Sequence, residues 1–324
     1  MSIAVLYDVP APAKLNLFLH VIGRRPDGYH LLQSVFVLID WCDTLHFERR
    51  NDGRLQRHDL GPALPADDLS LRAARALQQA SGTTLGADLS VLKNVPWGAG
   101  LGGGSSDAAS TLLALNRLWG LHWSRTQLQK IALPIGADVP FFVGGHNAVV
   151  EGIGEQLTPL PVQAFLNLNA QTCPRYAVVK PAASITTAAI FGSPLLVRNT
   201  ESAIVTSCLS DPNQFSRLVD GFGRNDLQPP AEASCSEVTQ AAAWLTARFG
   251  NSRMSGSGSA VFARVSGQNE TNDLMLEGHL ETMATTVTTT AANTAAWPAE
   301  PLPPGWTGRM CRGMVHHPLL DWAS

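Results

Sequence analysis

Apolar positions in the first 50 residues follow a pattern that is typical of β-strands. Residues 15–22 are mostly apolar, and residues 34–39 read Ser-Val-Phe-Val-Leu-Ile. Residues 24–28, Arg-Arg-Pro-Asp-Gly, separate the two segments and have the composition of a turn. The pattern therefore predicts two strands joined by a short turn.

A helical pattern follows over residues 67–80, with Asp67 or Asp68 as the expected N-cap. Residues 88–95 then predict a strand that ends at Pro96. The apolar positions of the helix recur on one face, formed by Leu69, Ala73, Ala76 and Leu77.

Glycine is densest at residues 98–104, where five of seven residues are glycine, and this segment continues directly into Ser105-Ser106-Asp107. A helix is predicted next, because apolar residues recur at the spacing of one buried stripe. A further helix is expected between Ser124 and Pro134. The stripe consists of Ala108, Leu112, Leu115 and Trp119.

The remaining chain continues the mixed pattern. Residues 136–145 predict a loop leading into a strand that residues 147–150 continue, and a domain boundary is placed at residues 152–154. Residues 282–296, rich in threonine and alanine, predict an insertion. The other predicted elements are strands over 176–179 and 260–265, helices over 186–191 and 237–249, and a glycine–serine loop over 254–259.

Composition narrows the class of protein. Hydrophobic residues make up 45% of the 324 residues and charged residues 15%, which supports a buried core and argues against disorder. The net charge is −3, without the basic surplus of a nucleic-acid-binding protein. No apolar run approaches the roughly 18 residues of a membrane span, and residues 1–12 do not read as a signal peptide. Five dispersed cysteines indicate reduced thiols and a cytoplasmic protein.

The glycine-rich segment is predicted to bind phosphate. Glycines let backbone N–H groups surround an anion, and the start of the following helix adds unpaired donors. Gly98, Gly100 and Gly103 also satisfy the GxGxxG pattern, but no acidic residue lies about 20 positions later, as a dinucleotide site requires. A Walker A loop is excluded, because Ser105 rather than lysine follows Gly104.

Several segments resemble motifs of the GHMP kinases. Residues 96–109, Pro-Trp-Gly-Ala-Gly-Leu-Gly-Gly-Gly-Ser-Ser-Asp-Ala-Ala, resemble their phosphate loop, residues 11–19 their first motif and residues 253–262 their third. Residues 26–30, Pro-Asp-Gly-Tyr-His, and residues 136–140, Gly-Ala-Asp-Val-Pro, are similar to motifs of one member family, which phosphorylates 4-diphosphocytidyl-2-C-methyl-D-erythritol.

The resemblance implies an α+β fold of two domains with the active site between them. Residues 1–152 would form a domain like the second domain of ribosomal protein S5, and residues 153–324 a ferredoxin-like domain. The implied activity is transfer of phosphate from ATP, with Mg²⁺, to the 2-hydroxyl of that acceptor in the non-mevalonate isoprenoid pathway. The sequence leaves the oligomeric state open, with a homodimer as one alternative.

The resemblance also implies which residues act. ATP would bind to Pro96, Trp97, Gly98, Ala99, Gly100, Leu101, Gly102, Gly103, Gly104, Ser105 and Ser106. Asp138 would accept the proton of the acceptor hydroxyl, and Lys14 would keep Asp138 ionised and stabilise the developing alkoxide. The alternative for Asp138 is a turn or capping residue.

Neighbouring polar residues have less specific predictions. Asn16 shares a strand face with Lys14 and would bind substrate or orient that lysine. Ser106 is a candidate Mg²⁺ ligand, and the other metal ligands stay open. Asp107 would interact favourably with its helix dipole. His316-His317 look like a metal pair, but surface residues are predicted there.

The resemblance places the acceptor's cytosine between the rings of Tyr29 and Phe191, with His30 reading the edge of the base. Phe36 and Thr187 would line the same pocket, whereas the alternative is a turn at Tyr29 and His30 and an ordinary core residue at Phe191. Two other functions stay open: a kinase for mevalonate, homoserine or a sugar, and a non-catalytic nucleotide-binding protein. A hydrolase is disfavoured, because the chain has no Gly-x-Ser-x-Gly segment.

Overall fold

A computed structural model describes residues 3–162, 173–203, 221–265, 297 and 301–323. It has the expected α+β composition. The first half contains β1 (Val5–Arg24), β2 (His30–Arg50), β3 (Leu55–Asp59), α1 (Leu69–Ser81), β4 (Gly86–Leu92), α2 (Gly103–Leu118), α3 (Arg125–Ala132), α4 (Val139–Gly144), β5 (Ala148–Gly152) and β6 (Gln156–Pro159). The second half contains β7 (Arg175–Lys180), α5 (Thr187–Gly192), α6 (Gln228–Ser234), α7 (Ser236–Phe249), β8 (Arg253–Met254), β9 (Val261–Val265), β10 (Thr307–Met314) and a 3₁₀ turn (Leu320–Trp322).

A long antiparallel hairpin of β1 and β2 organises the first half, and β4 and β5 pair with β2. β3 adds to β4 in parallel orientation. In the second half, β7 lies between β9 and β10. β10 connects the two halves, because Gly313 and Met314 pair with β2 while residues 307–312 pair with β7.

Alternation along β1 separates core residues from site residues. Ala13, Leu15 and Leu17 are buried in an apolar cluster that also contains residues of the glycine-rich segment and of β7 and β9. Successive side chains of a strand point to opposite faces, so Lys14 and Asn16 face away from this cluster. The strand thus anchors the glycine-rich segment on one face and presents polar groups on the other.

Helix starts follow the predicted capping chemistry. Asp68, rather than Asp67, caps α1 and accepts the N–H of Leu71 at 3.1 Å. Ser124 caps α3 and forms a capping box with Gln127. The predicted apolar stripe of α2 is buried, as expected. Burial extends beyond the stripe to nearly all sides of α2, because the helix lies between the β1–β2 hairpin and the helices α1, α3 and α4.

The prediction of a strand at the end of residues 136–145 is wrong. Residues 139–144 form the short helix α4, which has Pro140 in its first turn and is followed by its C-cap residue, Gly145, with φ +78°. Periodicity does not distinguish a short buried helix from a buried strand, and proline suits a first helical turn. The helix start follows Asp138 directly, so this local difference decides the setting of a predicted catalytic residue.

Two smaller expectations are also corrected. The strand predicted over 88–95 is β4 and ends at Leu92, because residues 94 and 95 instead direct their N–H groups to Asp43. His317 is fully buried rather than on the surface. Its Nδ1 accepts the N–H of Leu319 at 3.1 Å, and burial lowers its pKa to about 3.

The predicted domain boundary, residues 152–154, falls at the end of β5 and in the turn that leads to β6, and it stays a prediction. The Thr/Ala-rich tract 282–296 lies outside the described residues. Within the described ranges, no helix combines the length and the hydropathy that crossing a bilayer requires.

Candidate active site

A cavity of about 830 Å³ receives residues from both halves of the protein. Its lining includes backbone of two glycine-rich loops, the polar face of β1 and residues of α5. Eleven of the predicted site residues line it: Lys14, Asn16, Tyr29, His30, Phe36, Gly98, Gly100, Gly102, Asp138, Thr187 and Phe191.

The first glycine loop requires glycine at two positions for different reasons. A Cβ on Gly100 would lie 2.0 Å from the carbonyl oxygen of Ser255, so another loop packs directly on its backbone. Gly102 has φ +72° and stands at the N-cap of α2, where a Cβ would lie 2.9 Å from Phe142 Cζ and 3.2 Å from Lys14 Cγ. Both glycines therefore allow close contacts that a side chain would prevent.

The second glycine-rich loop, residues 255–259, holds the first one through hydrogen bonds. The N–H groups of Ser259 and Ala260 donate to the carbonyl oxygens of Gly98 at 3.2 Å and Ala99 at 3.0 Å. Ser255 Oγ donates to the carbonyl oxygen of Gly100 at 3.0 Å. Two segments that are distant in sequence thus form one backbone surface at the cavity.

Asn225, which sequence reasoning missed, supports the second loop from behind. Its Nδ2 donates to the carbonyl oxygens of Met254 at 2.7 Å and Gly256 at 2.8 Å, and its side chain is buried. A buried amide with two backbone partners is a strong constraint on a loop. The sequence signal is an Asn–Asp pair before Leu227, which is too common to be specific.

Lys14 and Asp138 approach each other in the cavity. Lys14 Nζ lies 3.7 Å from Asp138 Oδ2, and the lysine side chain is 3% exposed whereas that of Asp138 is 30% exposed. Asp138 occupies the N-cap position of α4, yet within the described residues its side chain makes no capping hydrogen bond. The carboxylate is therefore free to face the cavity rather than the helix.

Further contacts fix the lysine head group. Lys14 Nζ donates to Asn16 Oδ1 at 2.5 Å and lies 4.4 Å from the centre of the Phe36 ring. Asn16 Nδ2 donates to Ser34 Oγ at 3.0 Å, so the amide is held as well. Burial lowers the pKa of Lys14, and the nearby Asp138 carboxylate opposes that shift. The ammonium thus depends on Asp138 for its charge.

The Lys14 backbone is also tied to the glycine loop, because its N–H donates to the carbonyl oxygen of Leu101 at 2.9 Å. Ala99 and Leu101 are buried, so these two predicted residues offer only backbone to a ligand. Trp97 is 45% exposed. The predicted residues that lie in or next to the loop but do not line the cavity are Pro96, Trp97, Gly103, Gly104, Ser105 and Ser106.

Ser106 lies in the first turn of α2 and is fully buried. Its Oγ has no hydrogen-bond partner among the residues that the structure describes. A buried hydroxyl without a partner is costly, which is consistent with a ligand that accepts or donates a hydrogen bond there. In the described part of the chain, no group of three or more His, Cys, Asp or Glu side chains is arranged to hold a metal.

A buried charge cluster stands behind the loop, and sequence reasoning missed its arrangement. Lys93 Nζ donates to Asp107 Oδ2 at 2.5 Å and to Asp43 Oδ2. Asp43 Oδ1 also accepts the N–H groups of Asn94 at 2.6 Å and Val95 at 2.8 Å. Burial raises the pKa of Asp107, although Lys93 opposes the shift. The cluster joins the residues before the loop to the helix after it.

Aromatic residues line another part of the cavity. The rings of His30 and Phe191 stack with centroids 4.8 Å apart and an interplanar angle of 27°. Tyr29 is 59% exposed. One face of Phe191 is therefore covered by His30, and a base stacked on Phe191 would use the other face.

Thr187, at the start of α5, is joined to the second glycine-rich loop. Its Oγ1 lies 2.8 Å from Ser257 Oγ, and both residues line the cavity. Ser257 was missed as an individual site residue, although it lies inside the segment that resembles the third motif. The bond connects the aromatic part of the cavity to the backbone of the loops.

Comparisons with known proteins agree with this geometry. The family models "GHMP kinases N terminal domain" and "GHMP kinases C terminal" match residues 68–146 and 201–274. The chain is 60% identical, over 100% of both chains, to the 4-diphosphocytidyl-2-C-methyl-D-erythritol kinase of Methylibium petroleiphilum. It is 53% identical to the enzyme of the same name from Verminephrobacter eiseniae, over 98% of each chain.

Solved structures are similar as well. A crystal structure of 4-(cytidine 5'-diphospho)-2C-methyl-D-erythritol kinase superposes with a TM-score of 0.67 at 30% identity, over 94% of this chain and 99% of that one. A crystal structure of mevalonate kinase superposes with a TM-score of 0.63 over 95% and 99% of the two chains. Its 13% identity makes this second likeness one of fold alone.

Proposed function

Because the chain belongs to the GHMP kinases, and among them to the 4-diphosphocytidyl-2-C-methyl-D-erythritol kinase family, we propose that it transfers phosphate from ATP to the 2-hydroxyl of this acceptor. The product is the 2-phosphate, an intermediate of the non-mevalonate isoprenoid pathway. One observation carries the proposal: a single cavity is lined by the glycine loop, the Lys14–Asp138 pair and the aromatic residues.

Asp138 is the proposed base for the acceptor hydroxyl. Its carboxylate is partly exposed in the cavity and makes no capping bond within the described residues. It takes the hydroxyl proton as the alcohol oxygen attacks the terminal phosphorus of ATP and ADP leaves. Lys14 is held beside it and offsets the negative charge that develops on the alcohol oxygen.

ATP is a substrate throughout the GHMP kinases, and its phosphates are proposed to bind on residues 96–106. Support comes from the backbone of Gly98, Gly100 and Gly102, which lines the cavity, and from the start of α2, whose first N–H groups lack helical partners. The second glycine-rich loop keeps this surface in place.

Mg²⁺ fits the residues at the loop, where the Ser106 hydroxyl is buried without a partner in the described structure. A hydroxyl is a suitable oxygen ligand, and the ion usually keeps substrate phosphates and water as its other ligands. Ser106 would hold the ion, which neutralises phosphate charge when bound. The chain's own contribution is the placement of that hydroxyl by the first turn of α2.

The cytosine of the acceptor is proposed to bind beside Tyr29, His30 and Phe191. Aromatic faces stack on any base, whereas hydrogen bonds to the base edge distinguish one base from another. Phe36 and Thr187 line the same cavity and complete its wall. The proposed reaction is cytoplasmic, in keeping with the predicted reduced thiols, and a homodimer stays a prediction.

The test is a reaction of the purified protein with ATP and 4-diphosphocytidyl-2-C-methyl-D-erythritol. We expect ADP release with one equivalent of a phosphomonoester in the ³¹P NMR spectrum, while the acceptor's diphosphate stays intact. Mevalonate, homoserine and galactose serve as competing acceptors. Preferred turnover of any of these would overturn the proposed substrate, and no turnover of any acceptor would favour a non-catalytic nucleotide-binding protein.

Asp138→Asn provides the variant for this assay, and Asp52→Asn provides the matched control. Asp52 is an exposed turn residue whose partners are Arg50 and Arg54, so the same change of carboxylate to amide occurs away from the cavity. Loss of turnover in the first variant alone supports the assignment of the base.

A further inference from the structure

Arg198 connects two walls of the aromatic part of the cavity, and neither the sequence motifs nor the proposed chemistry uses it. Its Nε–H donates to His30 Nε2 at 3.2 Å. Its Nη2 donates to the carbonyl oxygens of Phe191 and Ser193 at 3.0 Å each, and its Nη1 to that of Leu196 at 3.0 Å. One half-buried guanidinium therefore holds the segment after α5 and one nitrogen of the His30 ring.

The bond to His30 determines where that ring carries its proton. A guanidinium only donates, so the nitrogen that it contacts must accept and is unprotonated. The neutral ring then has its proton on Nδ1, and Nδ1 has no hydrogen-bond partner within the part of the chain that the structure describes. His30 is thus left with one free group, an N–H donor.

The charges around His30 favour the neutral ring. Burial lowers the pKa of His30, and the positive charges of Arg198 and Arg24 lower it further. Arg24, at the end of β1, and Asp27, on the turn before His30, line the same cavity. Asp27 forms an ion pair with Arg25 at 2.6 Å. A protonated ring would place two donors against each other at Nε2, so protonation breaks the bond to Arg198.

The same guanidinium determines the position of Phe191. It holds the Phe191 carbonyl at the end of α5, and the Phe191 ring stacks on His30 at 4.8 Å. The side chain of Arg198 therefore holds both rings in position. A change at Arg198 releases the hydrogen-bonding group and the stacking surface together.

We propose that Arg198 is the positioning residue of the acceptor pocket, which fixes His30 as the neutral Nδ1–H form and thereby presents a hydrogen-bond donor to the edge of the base. This inference rests on the proposed function, because it assigns the base to this pocket. A donor at this place selects a base with an unprotonated acceptor on that edge, such as the ring nitrogen or carbonyl oxygen of cytosine.

The first test needs no acceptor. The chain has nine histidines, and the ¹⁵N NMR signals of His30 are assigned as those that disappear in His30→Gln. In the spectrum of the full chain we expect His30 in the Nδ1–H form. Arg198→Met removes the donor and the charge but keeps the length of the stem. We expect a mixture of the two tautomers in this variant and a titration of His30 at higher pH.

Kinetics provide the second test. Arg198→Met should raise KM for the acceptor about tenfold, the value of one lost hydrogen bond, and leave KM for ATP nearly unchanged. Combined with His30→Gln, it should raise KM by less than it does alone, because the part of its effect that acts through His30 is already lost and only its hold on Phe191 remains. Arg198→Lys retains the charge and separates its effect from that of the hydrogen bond. Arg54→Met, at an arginine that is 80% exposed, is the control.

A purely structural role predicts other results. If Arg198→Met is folded but less stable in urea while His30 keeps its tautomer and titration, Arg198 is only structural and the inference is wrong, whatever happens to KM. The same holds if stability, tautomer and titration are all unchanged. If the two variants raise KM independently, Arg198 does not act through His30. Should the protein turn over no cytidine diphosphate acceptor at all, the proposed function fails, and the NMR comparison still decides whether Arg198 controls His30.

Discussion

Gly102→Ala tests how closely the phosphate loop and Lys14 are packed. Gly102 has φ +72°, and the added methyl group would lie 2.9 Å from Phe142 Cζ and 3.2 Å from Lys14 Cγ. Phe142 is fully buried in α4, so it has little room to move. We expect the stem of Lys14 to shift instead, which changes the position of its ammonium beside Asp138.

Gly120→Ala separates this contact from the cost of the backbone conformation. Gly120 follows the other end of α2 with φ +64°, and its Cβ would meet nothing within 4 Å. Both alanines adopt a left-handed conformation, at a cost of about 1–2 kcal/mol in free energy of unfolding. The close contacts of Gly102 should add about 1–3 kcal/mol, the usual range for overpacking.

Urea unfolding of the two variants measures these free energies, and steady-state kinetics measures the site. Gly120→Ala should retain the kcat of the parent, whereas Gly102→Ala should lower kcat and raise KM for ATP. The bulkier Gly102→Val should weaken ATP binding more. Equal stability of the two alanine variants, with parental kinetics in both, would refute the packing argument and the link between the loop and Lys14.

The other predictions concern single groups. Asp138→Asn should lower kcat by about 10²–10⁴-fold with KM for the acceptor nearly unchanged, and a parental kcat under conditions where chemistry limits the rate would exclude this base. Tyr29→Ala should raise KM for the acceptor about tenfold and KM for ATP much less, since a stacked base contributes about 1–3 kcal/mol. The pKa of His317 is about 3 in the folded protein, against an ordinary value of 6.5. Between these two values the unfolded chain binds more protons than the folded one, so the free energy of unfolding decreases as the pH is lowered below 6.5, by at most about 1.4 kcal/mol per pH unit. His317→Asn should flatten this dependence in urea unfolding at pH 5 and pH 7; an unchanged slope would exclude His317 as its source.

Local sequence signals predicted the parts of the fold that local chemistry decides. Asp68 and Ser124 cap helices because their side chains bond to N–H groups three residues later. Lys14 and Asn16 share a face of β1 because of the strand period alone. The motif resemblance then identified residues that line one cavity although they are more than 100 positions apart.

Side-chain pairs between residues distant in sequence were not predicted, because the identity of one partner does not specify the other. Arg198 is one of many arginines in the sequence, and only the fold brings it to His30. Lys93 lies beside a strand whose sequence gives no indication that Asp43 and Asp107 converge on it. The sequence predicted a strand in place of the short helix α4, because an apolar run of this length is too short for its periodicity to distinguish a buried helix from a buried strand.

Unequal burial of Lys14 and Asp138 suits the proposed reaction better than a tight ion pair would. At 3.7 Å the two charges attract, but the distance exceeds that of a hydrogen bond, so the carboxylate keeps its lone pairs available for a proton. The lysine, which must not move, is buried and held by Asn16; the aspartate, which must meet the hydroxyl, is 30% exposed. When the acceptor displaces water from Asp138, the attraction between the two charges strengthens, and the ammonium retains its proton at the moment the alkoxide forms.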